Sequence, residues 1–406
     1  MSSRRAEGPG ALGACRAFGG PVRHVYVHVP FCRARCDYCD FASQAVGDEP
    51  DDALFEQYLD GVAAEWEREK AAAHDVRRLR TLYIGGGTPS LLGPDRLERL
   101  LELFRPLLTP RAEITVEANP EDVDEGFAAW AAAASGGRAA AGSRASSRGL
   151  RISLGVQSFA PALRRALGRS TEADPAAAFE RLRAAGVGGL SVDLIHGIPG
   201  QTEEELAGDI RQVLALRPDH VSWYELSLSP GTPLAARAES PPAGRDGGSD
   251  GAVFYRRIVR DLGRAGYDWY EVSNFALPGN KARHNLAYWR ARPYLGLGPG
   301  AVSTVGGRRW TDLADAAAWA TALAAGEAPP RATEQLDAAT RERERLLLAA
   351  RCGDPVLTAE VADALDLEAA ATLAHAGLVS LHSGTIRVTR KGRYVAGAVC
   401  VRLFRD

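Results

Sequence analysis

No apolar run in this 406-residue chain approaches the roughly 18–20 residues that a membrane-spanning helix needs. An excess of charge of one sign is lacking too: 49 Lys and Arg stand against 51 Asp and Glu, a formal net charge of −2. That removes the broad electrostatic argument for a nucleic-acid binder, which must neutralise many phosphates, and no nucleic-acid partner is expected. With no transmembrane segment, only peripheral membrane contact stays open. Residues 1–21 contain arginines but no continuous apolar core, so they read as a flexible leader rather than a secretory signal. Hydrophobic residues make up 46% of the chain, an ordinary share that rules out wholesale disorder. The length permits two or three domains, or one large barrel with an appendage.

Cysteine is scarce, six in all, and its placement says more than its number. Cys15, Cys352 and Cys400 are scattered, whereas Cys32, Cys36 and Cys39 fall within eight residues. A disulfide framework has little purpose in a long chain with so much apolar surface to bury. Three close thiols without a targeting segment fit a reducing, cytoplasmic setting and a metal.

Short apolar runs alternate with longer amphipathic stretches over the first two thirds of the chain. The runs at 24–29, 80–84, 113–117, 151–156, 190–195 and 220–226 are rich in Val, Ile, Leu or Tyr, as buried strands are. Helical patterns cover 53–72, 94–108, 175–185 and 203–216. Repeated strand–helix units predict an α/β fold with a parallel sheet and helices outside it. About six units suggest either an open doubly wound sheet or a partly closed TIM-like barrel. Residues 131–149 and 239–251 are Ala/Gly/Ser/Arg-rich and Pro/Gly/Asp-rich, and read as surface loops. From about residue 332 the texture changes. A charged helix at 340–351, two short helices at 358–365 and 369–376, a hairpin of 379–381 with 386–388, and a last helix from Lys391 predict a winged-helix-like tail. Arg387, Arg390, Lys391 and Arg393 read there as a solvated hairpin face. The division expected is a leader at 1–21, a barrel core at 22–235, an extension at 236–330 and the tail domain at 331–406.

Polar or Gly-rich clusters follow nearly every predicted strand. They are residues 28–31, Gly85-Gly86-Gly87-Thr88-Pro89, Glu117-Ala118-Asn119-Pro120, Gln157-Ser158, Asp193 with His196-Gly197, and Tyr224-Glu225. Loops after parallel barrel strands share one rim, where active sites are built, so one pocket is expected. Thiolates spaced as Cys32-x3-Cys36-x2-Cys39 are soft ligands suited to an iron–sulfur cluster or zinc. Structural zinc completes four ligands, and the nearest candidate, His28, lies on a strand and fits poorly. Three thiolates on a four-iron cluster instead leave one iron open to a small molecule. Three incidental buried thiols are the remaining reading. The glycine run alone is equally a tight turn, where φ > 0 costs glycine little. Beside an open iron it also suits backbone that approaches a ligand closely.

The cysteine spacing, with Tyr38 before the last thiol, resembles the signature of the radical S-adenosylmethionine (AdoMet) superfamily. The chain as a whole resembles the subgroup of the oxygen-independent coproporphyrinogen III oxidase and its relative, the heme chaperone HemW. The stretches that carry this are Tyr26 to Cys32, GGGTPS at 85–90, VEANP at 116–120, GVQSF at 155–159, DLIHGIPG at 193–200, YELSL at 224–228 and HNLAYW at 284–289. The resemblance implies a partial (β/α)6 barrel with a winged-helix-like tail, and a [4Fe–4S] cluster held by Cys32, Cys36 and Cys39. The cluster's open iron would chelate AdoMet and reductively cleave it to a 5′-deoxyadenosyl radical, with electrons from an unidentified donor. Tyr26, Gly86 and Glu117 match contacts to a first AdoMet. Tyr38, Gly87, Thr88, Gln157, Arg169 and Asp193 match contacts to a second. Each taken singly is also a satisfied polar group at a barrel rim.

Two departures set the branch. The oxidase carries another cysteine two residues after the last ligand, and this chain has Phe41 there. The oxidase also has an N-terminal arm over its site, and only about 20 residues precede the first strand here. The HNxxYW stretch belongs to the heme chaperone branch and makes His284 a candidate axial ligand for heme iron, with Arg283 as a propionate partner. Alternatively, His284 and Asn285 are structural and Tyr288 and Trp289 pack in a core. Val302 stands where relatives often place a histidine. The function expected is a cytoplasmic heme chaperone that hands heme to a heme-requiring apoprotein. The alternatives are the oxidase, a related radical enzyme such as a methyltransferase, or a binding protein that has lost AdoMet turnover.

Overall fold

The structure is a computed structural model that describes residues 18–72, 74–136, 149–238 and 251–405. Most of the leader, Cys15, and the larger parts of both loop segments lie outside the described residues. Valine, isoleucine and leucine at every second position build six strands: β1 (Val22–Val29), β2 (Val76–Gly86), β3 (Leu108–Ala118), β4 (Leu150–Gln157), β5 (Gly189–His196) and β6 (His220–Glu225). They lie side by side in chain order, each parallel to the next, within a nine-stranded sheet. Leu295–Leu297 adds parallel to the free edge of β1, and Asn274–Ala276 adds antiparallel to β6. The order has no reversal, so the doubly wound alternative falls away. Right-handed crossovers then put the connecting helices on one face, as in a partial barrel whose sheet stays open.

The period of two separates the sheet's faces. Val25, Val27, Leu82, Ile84, Val116, Ile152, Leu154, Val192, Leu194 and Val221 join one core with helix residues such as Phe55, Leu100, Phe179 and Leu206. The alternate positions carry Tyr26, His28, Tyr83, Glu117, Ser153, Asp193 and Ser222, so the inner face is polar. Helices Pro175–Ala185 and Glu203–Leu216 begin at side-chain caps, Asp174 and Thr202, and the second forms a full capping box with Glu205. The helix expected to 108 ends at Phe104 and tightens into a 3-10 turn at Arg105–Leu107, because Pro106 has no N–H to carry on the helical hydrogen bonding and its ring crowds the preceding turn.

The tail is a three-stranded antiparallel sheet of Val356–Leu357, Thr385–Val388 and Val379–His382, packed with helices Ala338–Cys352, Leu367–His375 and Ala396–Leu403. It has its own buried cluster, including Leu346, Val361, Ile386 and Leu403. Three expectations are corrected here. Residues 358–365 hold only a 3-10 turn at Thr358–Glu360, and the last helix breaks between Arg393 and Ala396. Arg393 is not solvated: it is buried, lies 3.9 Å from the Trp269 ring centroid and donates to Trp269 O (2.8 Å). A guanidinium sheds water there because the ring face and the carbonyl replace it. Among the described residues no helix is long and apolar enough to cross a membrane.

Candidate functional site

β1 runs into Pro30 and a two-residue strand, Phe31–Cys32, which pairs with Gln44–Ala45 and closes a loop over residues 33–43. The base of that loop is tied by Gln44 N–H to Pro30 O (2.7 Å) and Val46 N–H to Cys32 O (2.8 Å). Its far side is held by Asp37, whose N–H donates to Leu167 O and whose carboxylate pairs with Arg237 (2.8 Å). Arg33 meets Asp122 (2.7 Å), and Asp122 also accepts from Ser90 (2.6 Å). The thiols of Cys32, Cys36 and Cys39 are free, partly exposed and open to one cavity of about 820 Å³. Thr88 Oγ1 lies 3.6 Å from Cys32 Sγ, and Arg169 Nη1 3.7 Å from Cys36 Sγ. Burial pushes the Cys32 and Cys39 thiols up. Among the described residues no three thiol, imidazole or carboxylate groups converge on one ion. The three thiols share instead the wall of one cavity of about 820 Å³. It leaves room for a cluster that takes each thiolate on a separate iron.

The glycine run after β2 forms the cavity's wall for a steric reason. A Cβ on Gly87 would stand 2.5 Å from Phe31 O and 3.0 Å from Cys32 Sγ. Gly86 has φ +114°, a conformation closed to L side chains, and its N–H donates to Glu117 Oε2 (3.0 Å). Tyr83 OH donates to the other oxygen of Glu117 (2.6 Å). Burial raises the Glu117 carboxyl to about 7, with the Asp193 charge adding to it and both hydrogen bonds opposing it. Asp193 is likewise raised to about 6 by burial, against the hydrogen bonds from Ser222 and Ser153. Gln157, at the end of β4, has φ +62°, a strained position for a non-glycine residue where the β4–β5 register shifts.

Tyr38, Gly86, Gly87, Thr88, Glu117, Gln157, Arg169 and Asp193 all line this cavity with the three cysteines. Tyr26 lies instead beside a second cavity of about 390 Å³, which shares Gly86, Glu117, Asp40 and Phe41 with the first. His284 lines neither. It is 1% exposed, with Nδ1 2.8 Å from Thr81 Oγ1 and Nε2 2.9 Å from Tyr288 OH. The helix that carries it, Arg283–Trp289, enters the inner face of the sheet, where the Glu113 carboxylate accepts its first two N–H groups (3.0 Å each). Arg283 Nη2 donates to Arg111 O (2.6 Å). At the helix's other end, Arg351 of the tail stacks 4.4 Å over Trp289 and Arg290 pairs with Asp354 (2.9 Å).

The comparison with known proteins follows this geometry. Residues 26–213 match the Radical SAM superfamily. The heme chaperone HemW of Mycobacterium tuberculosis is 37% identical over 382 residues, spanning 92% of this chain and 93% of that protein. The chain belongs to the HemW family of radical SAM proteins. The HemW of Escherichia coli K12 is 38% identical over 293 residues, 70% of this chain and 71% of its own length. The coproporphyrinogen III oxidase HemN of Escherichia coli, a radical SAM enzyme, shares the fold. Its TM-score is 0.75 over 95% of this chain and 91% of that one, at 23% identity.

Within this HemW-family chain, three polar residues have roles that the motifs do not assign. Asn119 donates to Thr88 Oγ1 (3.2 Å) and accepts from Arg169 (2.8 Å), so it couples the β2 and β4 rims. Its signal was its place two residues after Glu117, where a strand returns to the same face. Tyr83 and Asp122 had no local signal, because their partners lie on other strands and loops.

Proposed function

We propose that the chain is a cytoplasmic [4Fe–4S] radical-AdoMet heme chaperone that binds heme and transfers it to a heme-requiring apoprotein. The likeness to the Mycobacterium tuberculosis heme chaperone across nearly the whole length of both chains carries this reading. Cys32, Cys36 and Cys39 hold the cluster, and an external donor reduces it. When bound, the cluster and AdoMet supply one-electron chemistry; the protein positions them and limits water. Tyr26, Gly86 and Glu117 orient the first AdoMet. Glu117 offers carboxylate oxygens already aligned by Tyr83 and Gly86, as a group that receives ammonium or hydroxyl donors requires. Tyr38, Gly87, Thr88, Gln157, Arg169 and Asp193 line the remaining volume, where a second AdoMet fits by the same chemistry.

Phe41 favours the chaperone over the oxidase. It occupies the place of the oxidase's extra cysteine and is 59% exposed at the mouth of both cavities. The test is anaerobic reconstitution followed by parallel assays of heme retention and coproporphyrinogen III consumption. Heme retained and passed to an apo-hemoprotein, with no protoporphyrinogen IX formed, is the expected result. Many turnovers of coproporphyrinogen would establish the oxidase instead.

A further inference from the structure

The loop that carries the three cysteines is held by two different parts of the molecule. Cys32 belongs to the sheet. It sits on the short strand that continues β1, its carbonyl accepts from Val46 N–H (2.8 Å), and a Cβ on Gly87 would stand 3.0 Å from its sulfur. Cys36 and Cys39 lie farther along, in the run Cys36-Asp37-Tyr38-Cys39-Asp40, and both acids of that run reach the segment that follows β6. Asp40 Oδ2 accepts from Ser229 Oγ (2.5 Å). The Asp37 carboxylate pairs with Arg237 (2.8 Å), and its carbonyl accepts from Leu234 N–H (2.8 Å). Between the two acids, Tyr38 packs in an apolar cluster with Leu226 and Leu234.

The segment after β6 has its own reasons to keep its shape. It leaves the strand with Leu226 N–H on His196 O (2.9 Å) and turns at 229–232, where Gly231 takes φ +84°. The Thr232 hydroxyl donates to Ser229 O (2.8 Å) and accepts from Ala235 N–H (3.3 Å), which caps the short helix Pro233–Ala238. Leu234 is buried, and Arg237 adds a bond to Ala166 O (3.2 Å). On the opposite side of Asp37 stands Gly168, where a Cβ would come within 2.7 Å of the Asp37 carboxyl carbon. The Asp37–Arg237 and Asp40–Ser229 ties lie at the surface, where a single polar contact contributes little, so they act together around the buried Leu234. Leu226, Ser227 and Ser229 also line the cavity of about 820 Å³, so the segment that grips the loop is at the same time a wall of that cavity.

We propose that residues 226–238 form a strap that positions Cys36 and Cys39 through Asp37 and Asp40, while Cys32 is placed by the sheet. This rests on the cluster reading of the three cysteines. Two of the thiols then keep their spacing to the third only while the strap is docked. A displaced strap loosens the hold on the cluster and opens the cavity wall in one movement, because the same residues do both.

Two measurements on the full-length protein test the strap. In the cluster-free protein, alkylation by iodoacetamide is followed at each cysteine by mass spectrometry, which reads local opening around each thiol. Asp40→Ala and Arg237→Ala should each speed labelling of Cys36 and Cys39 several-fold and leave Cys32 at the wild-type rate. Buried Cys400 should stay slow, as the mark of an intact fold. Asp40→Asn keeps an acceptor for Ser229 and Arg237→Lys keeps a cation for Asp37, so both should return labelling toward wild type. After anaerobic reconstitution, the two alanine variants should hold iron against a chelator about 10–100-fold less well, read from visible absorption, as loss of an outer partner of a metal ligand does. Unchanged labelling of Cys36 and Cys39 in both alanine variants overturns the strap and leaves the cluster reading standing. So does equal acceleration at Cys32, which would mean that the whole loop moves as one. A wild type that assembles no cluster removes the cluster reading and the proposal with it.

Discussion

At Glu117 burial and function pull on one carboxyl. Its value is held near 7 in the folded chain against an ordinary 4.5. The folded state therefore keeps a proton that the unfolded state releases, so this group's contribution to the stability of the cofactor-free protein is full below about 4.5 and is lost as pH rises through about 7. Glu117→Gln should raise the apo protein's stability at pH 8 by roughly 1–3 kcal/mol and give no gain at pH 4, read from denaturant unfolding at both pH values. The same change should weaken AdoMet binding about 10–150-fold, the worth of one charge-assisted hydrogen bond, measured as loss of AdoMet's effect on the reduced cluster's paramagnetic spectrum. Improved stability with unchanged AdoMet affinity would show that Glu117 is only a buried structural acid. Cysteine variants separate as sharply. Cys32→Ala, Cys36→Ala and Cys39→Ala should each lose most visible cluster absorption. Cys352→Ala and Cys400→Ala should not, since burial holds those thiols up at about 12 and about 11, remote from the cavity.

The turn from β2 into the cavity wall is an element whose shape is set by what cannot fit. A methyl group on Gly87 meets a carbonyl and a cysteine sulfur at once, and neither is the free end of a flexible side chain. Gly87→Ala should cost about 1–3 kcal/mol and lower cluster occupancy on reconstitution. Gly397→Ala is the control: nothing lies within 4 Å of the new Cβ, and it sits inside helix Ala396–Leu403. That variant should gain up to about 1 kcal/mol and assemble the cluster normally. Equal cluster loss in both would mean that the close approach at Gly87 is not the cause. The Arg283–Trp289 helix is a second such element. Glu113 fixes its start, and His284 packs 5.2 Å from the Tyr83 ring that aligns Glu117. It thus links the inner face of the sheet to the tail.

Over the whole molecule, the sheet's core and the tail's core meet through several contacts, two of them guanidinium–indole stacks. Arg351 reaches the fully buried Glu271 (3.2 Å) while covering Trp289, and Arg393 covers Trp269. Withdrawing either guanidinium strands a buried acceptor or bares an indole. The double variant Arg351→Ala/Arg393→Ala should therefore lose roughly 2–4 kcal/mol of coupling between tail and sheet. Calorimetry should show one cooperative transition in the wild type and two in the variant. A single transition at unchanged temperature in the variant would place the coupling elsewhere.

The sequence by itself determined the parts whose physics is local. Alternating Val, Ile and Leu specified the six strands, and caps such as Asp174 and Thr202 specified where helices begin. The 32-36-39 spacing put three thiols on one loop, and the polar residues after each strand marked one rim. Tertiary structure decided what depends on distant partners. Only pairing of Leu295–Leu297 with β1 shows how the sheet's first edge is covered, and only packing against Thr81 and Tyr83 reveals that His284 is sealed while Tyr288 meets a cavity. Asn119 became visible through Thr88 and Arg169, and Arg393 through Trp269. Periodicity reports which face a side chain takes. It carries no record of which residue from another element arrives to satisfy or bury it, because that is fixed by contacts between segments far apart in the chain.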